Sequence, residues 1–281
     1  MASLQDVRTS DPGRSVAFVK AHACGNDFLI VEEAAAHRQH SALARRLCER
    51  HTSIGADGIE FVDRRREGEF FLRLFNADGS EAELSGNGTR CVAAWLAQSE
   101  GLKEVTLGTH GGMRLCRVIE DRAPVFEIES AMGIPRVMQR TIELGGVGLV
   151  EGAMVNVGNP HFVLFVESSD FGAHGLGWKE LGEQISKDAM FPHGTNVEFV
   201  RMGSAGTIEF RIYERGCGPT TSSGTGTCAS AAAAMLLRGA SRELIAVAEG
   251  GAQRVVWATN EQPMLLTGPA ELICTGEAKG L

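Results

Sequence analysis

Two five-residue segments carry side chains that could do chemistry: Ser85-Gly86-Asn87-Gly88-Thr89 and Ser223-Gly224-Thr225-Gly226-Thr227. A Gly-x-Gly turn that opens a helix aims several free backbone N–H groups at one point. The helix dipole adds partial positive charge there. Such a point suits a carboxylate or phosphate, and two copies offer two helix N-termini to one ligand across a cleft. Ser85 and Ser223 begin the turns and are placed to act on the carbon beside a bound carboxylate. Stereoinversion without a cofactor requires two such groups on opposite faces of one carbon, one removing a proton and the other returning one. Dinucleotide binding is the weaker reading, because neither turn completes G-x-G-x-x-G; Cys91 and Ala229 occupy the last place. Pyridoxal phosphate needs a Schiff-base lysine. None of Lys20, Lys103, Lys179, Lys187 and Lys279, the whole lysine complement, lies in either turn.

The elements that position these turns are repeated. At an ungapped offset of 138 residues, Ile59-Glu60-Phe61-Val62 falls on Val197-Glu198-Phe199-Val200, and Arg73-Leu74-Phe75 on Arg211-Ile212-Tyr213. The two serine turns and Ala93-Ala94 on Ala231-Ala232 follow at the same offset. Upstream, at an offset of 133, Gly25-Asn26 matches Gly158-Asn159. Four matched segments in order imply an internal duplication. The expected organisation is a polar arm over 1–15, one unit over 16–125, a second over 126–265, and a segment 266–281 that returns to the first unit. The seam falls where turn residues gather, between Asp121 and Pro135. Phe28 to Val31, Phe70 to Phe75, Phe162 to Val166 and Ile208 to Tyr213 read as strands. Thr89 to Gln98 and Thr227 to Leu237 are apolar on nearly all sides and read as buried helices. Leu43 to Arg50 and Lys179 to Ser186 have the one-sided pattern of surface helices. The fold class is α/β.

Composition narrows the function classes. Hydrophobic residues are 43% and charged ones 22%, which excludes global disorder. A formal net charge of −8 and 6% aromatic residues argue against nucleic acid as a partner. No run approaches the ~18 apolar residues of a membrane span. The stretch Met1 to Ser15 has no apolar core, so no secretory signal is expected. Seven cysteines with no CxxC pair argue against a disulfide framework or zinc ribbon, and a reducing, cytoplasmic setting is expected. No HExxH occurs, no metal is expected, and His37 and His40 read as solvated surface residues. Glycine is high, at 35 residues, which points to tight turns or close backbone approach.

Several longer motifs carry a resemblance. Gly25-Asn26-Asp27-Phe28, Asn76-Ala77-Asp78-Gly79-Ser80-Glu81, Gly86-Asn87-Gly88-Thr89-Arg90-Cys91, Gly158-Asn159-Pro160-His161, and Glu214-Arg215-Gly216 with Gly224-Thr225-Gly226 together resemble diaminopimelate epimerase. The resemblance runs from about Val16 to the C-terminus. It implies two similar domains, each a β-barrel-like sheet around a central helix, closing on substrate. The implied activity is cofactor-independent inversion of one stereocentre of diaminopimelate, from LL to meso, on the lysine and peptidoglycan route. The implied partner is this small amino acid alone, and a homodimer is compatible with it. By the same resemblance, Asn26, Asn76, Asn159, Asn196 and Arg215 hold the substrate, largely its distal end. Gly86-Asn87 and Gly224-Thr225 cradle the reacting carboxylate, and His161 and Glu214 flank the reacting centre.

One departure bears on chemistry. The family places a cysteine at each turn, where this chain has Ser85 and Ser223, and Pro219 replaces a position often acidic. A thiol ionises near 8.5 and a helix N-terminus brings it into range; a hydroxyl starts far higher. A binding homologue without turnover is therefore one alternative. A serine hydrolase or dehydratase using His161 and Glu214 is another, although no G-x-S-x-G elbow occurs.

Overall fold

The computed structural model describes Ser15–Lys279 apart from Glu67; the expected arm lies outside these residues save for Ser15. The first half builds β1 (Ser15–Ala23), β2 (Asn26–Glu32), β3 (Gly58–Arg66), β4 (Glu69–Asn76), β5 (Glu81–Ala82), β6 (Glu104–Thr109), β7 (Gly112–Arg122) and β8 (Val125–Ala131). Its helices are α1 (Glu33–Ala36), α2 (His40–Leu47) and α3 (Gly86–Glu100). The second half builds β9 (Arg136–Leu144), β10 (Gly148–Asn156), β11 (Pro160–Phe165), β12 (Asn196–Met202), β13 (Thr207–Glu214), β14 (Gly218–Thr220), β15 (Glu243–Ala248) and β16 (Gly251–Val256). Its helices are α4 (Trp178–Ser186) and α5 (Gly224–Leu237), and β17 (Leu265–Lys279) ends the chain.

Strands β1, β2, β3, β4, β6, β7, β8 and β17 pair in a closed ring. Two pairings in the ring are parallel, β2 with β3 and β4 with β6. A parallel pair needs a long crossover. The first crossover, α1 and α2, lies outside the barrel; the second, α3, runs through its interior. The second half repeats this order with parallel pairs β11–β12 and β13–β15. There the crossovers are α4 outside and α5 inside. The halves are laced together by β17, which pairs with β16 and β8 at its start and β1 at its end. Because β8 pairs with β7 and β17, the chain crosses between barrels after β8, at 132–135, rather than at residue 126. There Met132 and Gly133 share two 2.8 Å backbone hydrogen bonds with Met264.

Residue choice explains the nesting. An eight-stranded barrel leaves an interior just wide enough for side chains, so a helix fits only if its own side chains are small. In α5, Cys228, Ala229, Ser230 and Ala231–Ala234 are all buried, and they pack with Phe210, Ile212, Val255 and Trp257. Ala93, Ala94 and Ala97 do the same in α3 against Phe28, Leu72 and Phe126. The strands alternate, as in β13, where Ile208, Phe210 and Ile212 point inward. His40 departs from its expected solvated setting. It is buried between Phe61 and Phe75, and its Nε2 pairs with Glu33 at 2.7 Å. His37 is exposed.

Candidate active site

Both inner helices begin at a serine in extended conformation. Ser85 has φ −122° and ψ 122°, and its Oγ accepts from the Gly88 N–H at 3.0 Å. Ser223 has φ −143° and ψ 127°, and accepts from the Gly226 N–H at 3.3 Å. The serines are N-caps, each satisfying one of the four orphan donors of its helix. The first residues of the helices, Gly86-Asn87 and Gly224-Thr225, line the cleft, and their N–H groups have no partner within the helix.

Close approach fixes the glycines. A Cβ on Gly86 would stand 3.3 Å from Gly224 Cα, and one on Gly224 would stand 3.1 Å from Gly86 Cα. The two helix tips therefore meet backbone to backbone. Beneath them, a Cβ on Gly88 would collide with Glu60 Oε1 at 1.9 Å, and one on Gly226 with Ile212 Cδ1 at 2.6 Å. Each helix thus starts on a buried glutamate, Glu60 or Glu198.

The tips open into a cleft of about 840 Å³ between the barrels. Ser85, Gly86, Asn87, Ser223, Gly224 and Thr225 line it at the helix ends; Asn26, Asn76, Asn159, Asn196, Glu214 and Arg215 line its walls. Asn26 Nδ2 donates to Asp57 at 2.7 Å and its Oδ1 accepts from Asn87 at 3.2 Å. Asp57 is held by Arg50 at 2.7 Å, which also binds Asp27 at 2.6 Å. Asn76 donates to Ser80 Oγ at 3.0 Å, and Asn196 Oδ1 accepts the Arg215 backbone N–H at 2.8 Å. The Arg215 guanidinium makes no ion pair among the described residues, Glu214 included; it donates to the His193 carbonyl at 3.3 Å. Burial raises the Glu214 carboxyl above its ordinary range, against a 2.5 Å hydrogen bond from Thr220.

His161 is not brought to the cleft wall with the others. Its ring is fully buried behind Asn159: Nε2 donates to Asn159 Oδ1 at 2.9 Å and Nδ1 meets Glu198 Oε1 at 2.6 Å. It orients Asn159, whose Nδ2 faces Thr225 Oγ1 at 3.4 Å. Burial pushes Glu198 upward, and the His161 ring opposes the shift. The first half has Phe28 where the second has His161, so Glu60 has no such partner and its Oε1 is unsatisfied. Burial raises Glu60 from 4.5 to about 8. Folded Glu60 keeps a proton that unfolded Glu60 releases, so stability falls as pH rises between these values. Sequence reasoning passed over Glu60 and Glu198, although a charged residue at one place in two matched apolar runs was the available sign.

Both helix tips carry serine, and no cysteine stands at either. Cys91 and Cys228 are buried inside the helices, and burial raises both, Cys228 to about 12. Cys217 lines the cleft and is exposed, but desolvation of its sulfur by the cleft walls and the neighbouring Glu214 carboxylate raise its thiol as well. The site can hold an anion between two helix tips, set a hydroxyl at each tip, and grip a second polar group with asparagines and an unpaired guanidinium.

The sequence matches the diaminopimelate epimerase family profile twice, over residues 18–138 and 153–273, one match per barrel. Diaminopimelate epimerase from Bacteroides thetaiotaomicron is 34% identical over 273 residues, covering 94% of this chain and 98% of its own. Diaminopimelate epimerase 1 from Nostoc sp. is 34% identical over 283 residues, covering 94% and 99%. In structure, a hydroxyproline epimerase from Agrobacterium vitis with bound trans-4-hydroxy-L-proline is similar at TM-score 0.70 and 14% identity, covering 95% of this chain and 93% of its own. A predicted epimerase from Pseudomonas aeruginosa is similar at TM-score 0.71 and 16% identity, covering 94% and 99%; both share the fold. With a profile match on each barrel and relatives 34% identical along nearly their whole length, the chain belongs to the diaminopimelate epimerase family of amino-acid epimerases.

Proposed function

We propose that the cleft binds diaminopimelate and that the protein inverts its α-carbon by cofactor-independent proton transfer, slowly, because hydroxyls stand at both helix tips. The observation that carries this reading is the contact of Gly86 with Gly224, which brings two serine-capped helix N-termini to one point. The reacting carboxylate takes the open N–H groups at Gly86-Asn87 and Gly224-Thr225, and the dipoles of both helices favour its charge. Arg215 takes the distal carboxylate, with Asn26, Asn76, Asn159 and Asn196 around that end. Ser85 and Ser223 then address opposite faces of the α-carbon. Glu214 supplies a carboxyl beside the ligand, and His161 acts through Asn159.

A second reading, ligand binding without turnover, is favoured by one specific fact: each serine Oγ already accepts a helix-capping hydrogen bond. Serine hydrolysis draws no support, because the nitrogens of His161 go to Glu198 and Asn159 and not to a serine. The test is incubation with LL-diaminopimelate in D₂O. Slow α-deuteration and appearance of the meso isomer support inversion. Binding with no exchange supports the second reading, and no binding at all refutes both.

A further inference from the structure

The cleft holds three guanidinium groups, and they differ in what they are committed to. Arg50 is spent on Asp27 and Asp57. Arg215 is exposed and is already assigned to the distal carboxylate. Arg114, on β7, is 7% exposed. Its Nη1 donates to the Met113 carbonyl at 2.9 Å and its Nη2 to the Gly111 carbonyl at 3.0 Å. Its Nε has no partner, and it makes no ion pair among the described residues. A buried charge with neither counter-ion nor full hydrogen bonding is costly. Burial holds this guanidinium below its ordinary pKa.

The duplication supplies an internal control. Arg114 faces Leu107 across its strand pair as Gln253 faces Ala246 in the second barrel. Gln253 is buried too, but neutral and engaged: its Oε1 accepts from Thr227 at 2.6 Å and its Nε2 reaches Cys24 Sγ at 3.5 Å. The fold therefore accepts a neutral side chain at this place, and the charge on Arg114 answers to something else.

Position says what that is. The Gly111 N–H bonds the Glu83 carbonyl at 3.0 Å, and a Cβ on Gly111 would stand 3.0 Å from Leu84 Cβ. Arg114 is thus tied to the segment that leads into Ser85. On its other side, Nη2 is 3.5 Å from where a Cβ on Gly158 would stand, in the turn before Asn159. Asn159 in turn meets Thr225 at the tip of α5. The guanidinium therefore lines the same cleft as the two helix tips, one residue removed from each of the segments that carry them.

Resting on the reading of the cleft as an amino-acid site, we propose that Arg114 is a carboxylate-recognition residue, the remaining Nη–H donors of its guanidinium meeting the carboxylate held between the helix tips. Proton removal at the α-carbon moves negative charge onto that carboxylate. A fixed cation beside it therefore strengthens binding and also favours the reaction.

The test uses the full chain with Arg114→Gln, which copies the second barrel, and Arg114→Lys, which keeps the charge. Calorimetry is run with diaminopimelate, lysine and lysinamide. Lysine lacks the distal carboxylate, and lysinamide lacks both. The expected result is a loss of about 10- to 100-fold in affinity for diaminopimelate and lysine in the Gln variant, from loss of a charge-assisted hydrogen bond. The Lys variant recovers part of it, and lysinamide binds wild type and variants alike. Equal affinities of wild type and Gln variant for the two carboxylates overturn the proposal. So does a lower melting temperature of the free Gln variant with affinities unchanged, which marks a purely structural strut. If wild type binds no diaminopimelate, the proposed function fails. Arg114 is then judged on whichever of glutamate, succinate and lysine raises the wild-type melting temperature. That rise must vanish in the Gln variant, and if none of the three raises it, the Arg114 proposal falls as well.

Discussion

Replacing both Ser85 and Ser223 by cysteine raises α-proton exchange by orders of magnitude. A thiol ionises near 8.5, and a hydroxyl resembles water at about 15.7. The gap of about seven pH units corresponds to ~10 kcal/mol of ionisation free energy. A helix N-terminus contributes ~0.3–2 kcal/mol and does not close it. If one third of the gap is felt in the transition state, the rate rises roughly 300-fold. The change has an opposite effect on stability. Each serine Oγ caps its helix by accepting one backbone N–H, and a sulfur accepts poorly, so each cysteine costs roughly 0.5–2 kcal/mol. The assay follows loss of the α-proton signal of LL-diaminopimelate in D₂O, for wild type, both single variants and the double variant, beside their melting temperatures. The singles gain far less than the double, because inversion needs an acceptor on one face and a donor on the other. The double variant's rate climbs with pH toward the thiol range. The reasoning is refuted if wild type already turns over at ~1–10³ s⁻¹, or if the double cysteine variant binds the ligand and exchanges no proton.

Arg215→Ala weakens diaminopimelate binding by ~2–5 kcal/mol through loss of a charge partner, and Asn26→Ala by ~1–3 kcal/mol; calorimetry with unchanged affinities removes them from the site. Gly224→Ala sets a methyl 3.1 Å from Gly86 Cα, so it lowers stability by ~1–3 kcal/mol and parts the helix tips; denaturant unfolding beside ligand titration reads both effects. For Glu60→Gln, the stability of wild type relative to the variant falls as pH rises from 4.5 to about 8, by at most ~1.4 kcal/mol per unit. A flat difference across that window means Glu60 titrates normally.

The parts of the fold readable in the sequence are those that depend on local pattern. All-sided apolarity marked α3 and α5 as buried, and the matched offset marked the two barrels. Both helices begin three residues earlier than the pattern suggests, because Gly86-Asn87-Gly88 reads as a turn when taken alone. Only the serine cap and the abutting Gly224 backbone make those residues helical. His40 read as solvated because its partners, Glu33, Phe61 and Phe75, come from three other elements. Arg114 gave no sign at all. Its meaning lies in the lack of a counter-ion among the described residues, and that shows only once β7 is set beside the turn at Gly158.

The two barrels agree at some site positions and differ at others, and the division follows the chemistry proposed for them. Ser85 matches Ser223, Gly86 matches Gly224, and Glu60 matches Glu198. The first two pairs are the positions the proposed inversion uses from both faces, since the forward and reverse reactions exchange acceptor and donor, and the third underlies both helix starts. Asn76 stands against Glu214, Phe28 against His161, and Arg114 against Gln253. These are positions proposed to meet the ligand or to support a residue that meets it. The two ends of LL-diaminopimelate are alike and either can enter, but one reacts while the other is held, and those two tasks call for unlike walls. On the proposed reading that difference comes from two guanidinium groups without an ion pair among the described residues, Arg114 of the first barrel toward the reacting carboxylate and Arg215 of the second toward the distal one, while the matched helix tips present a hydroxyl to each face of the reacting carbon.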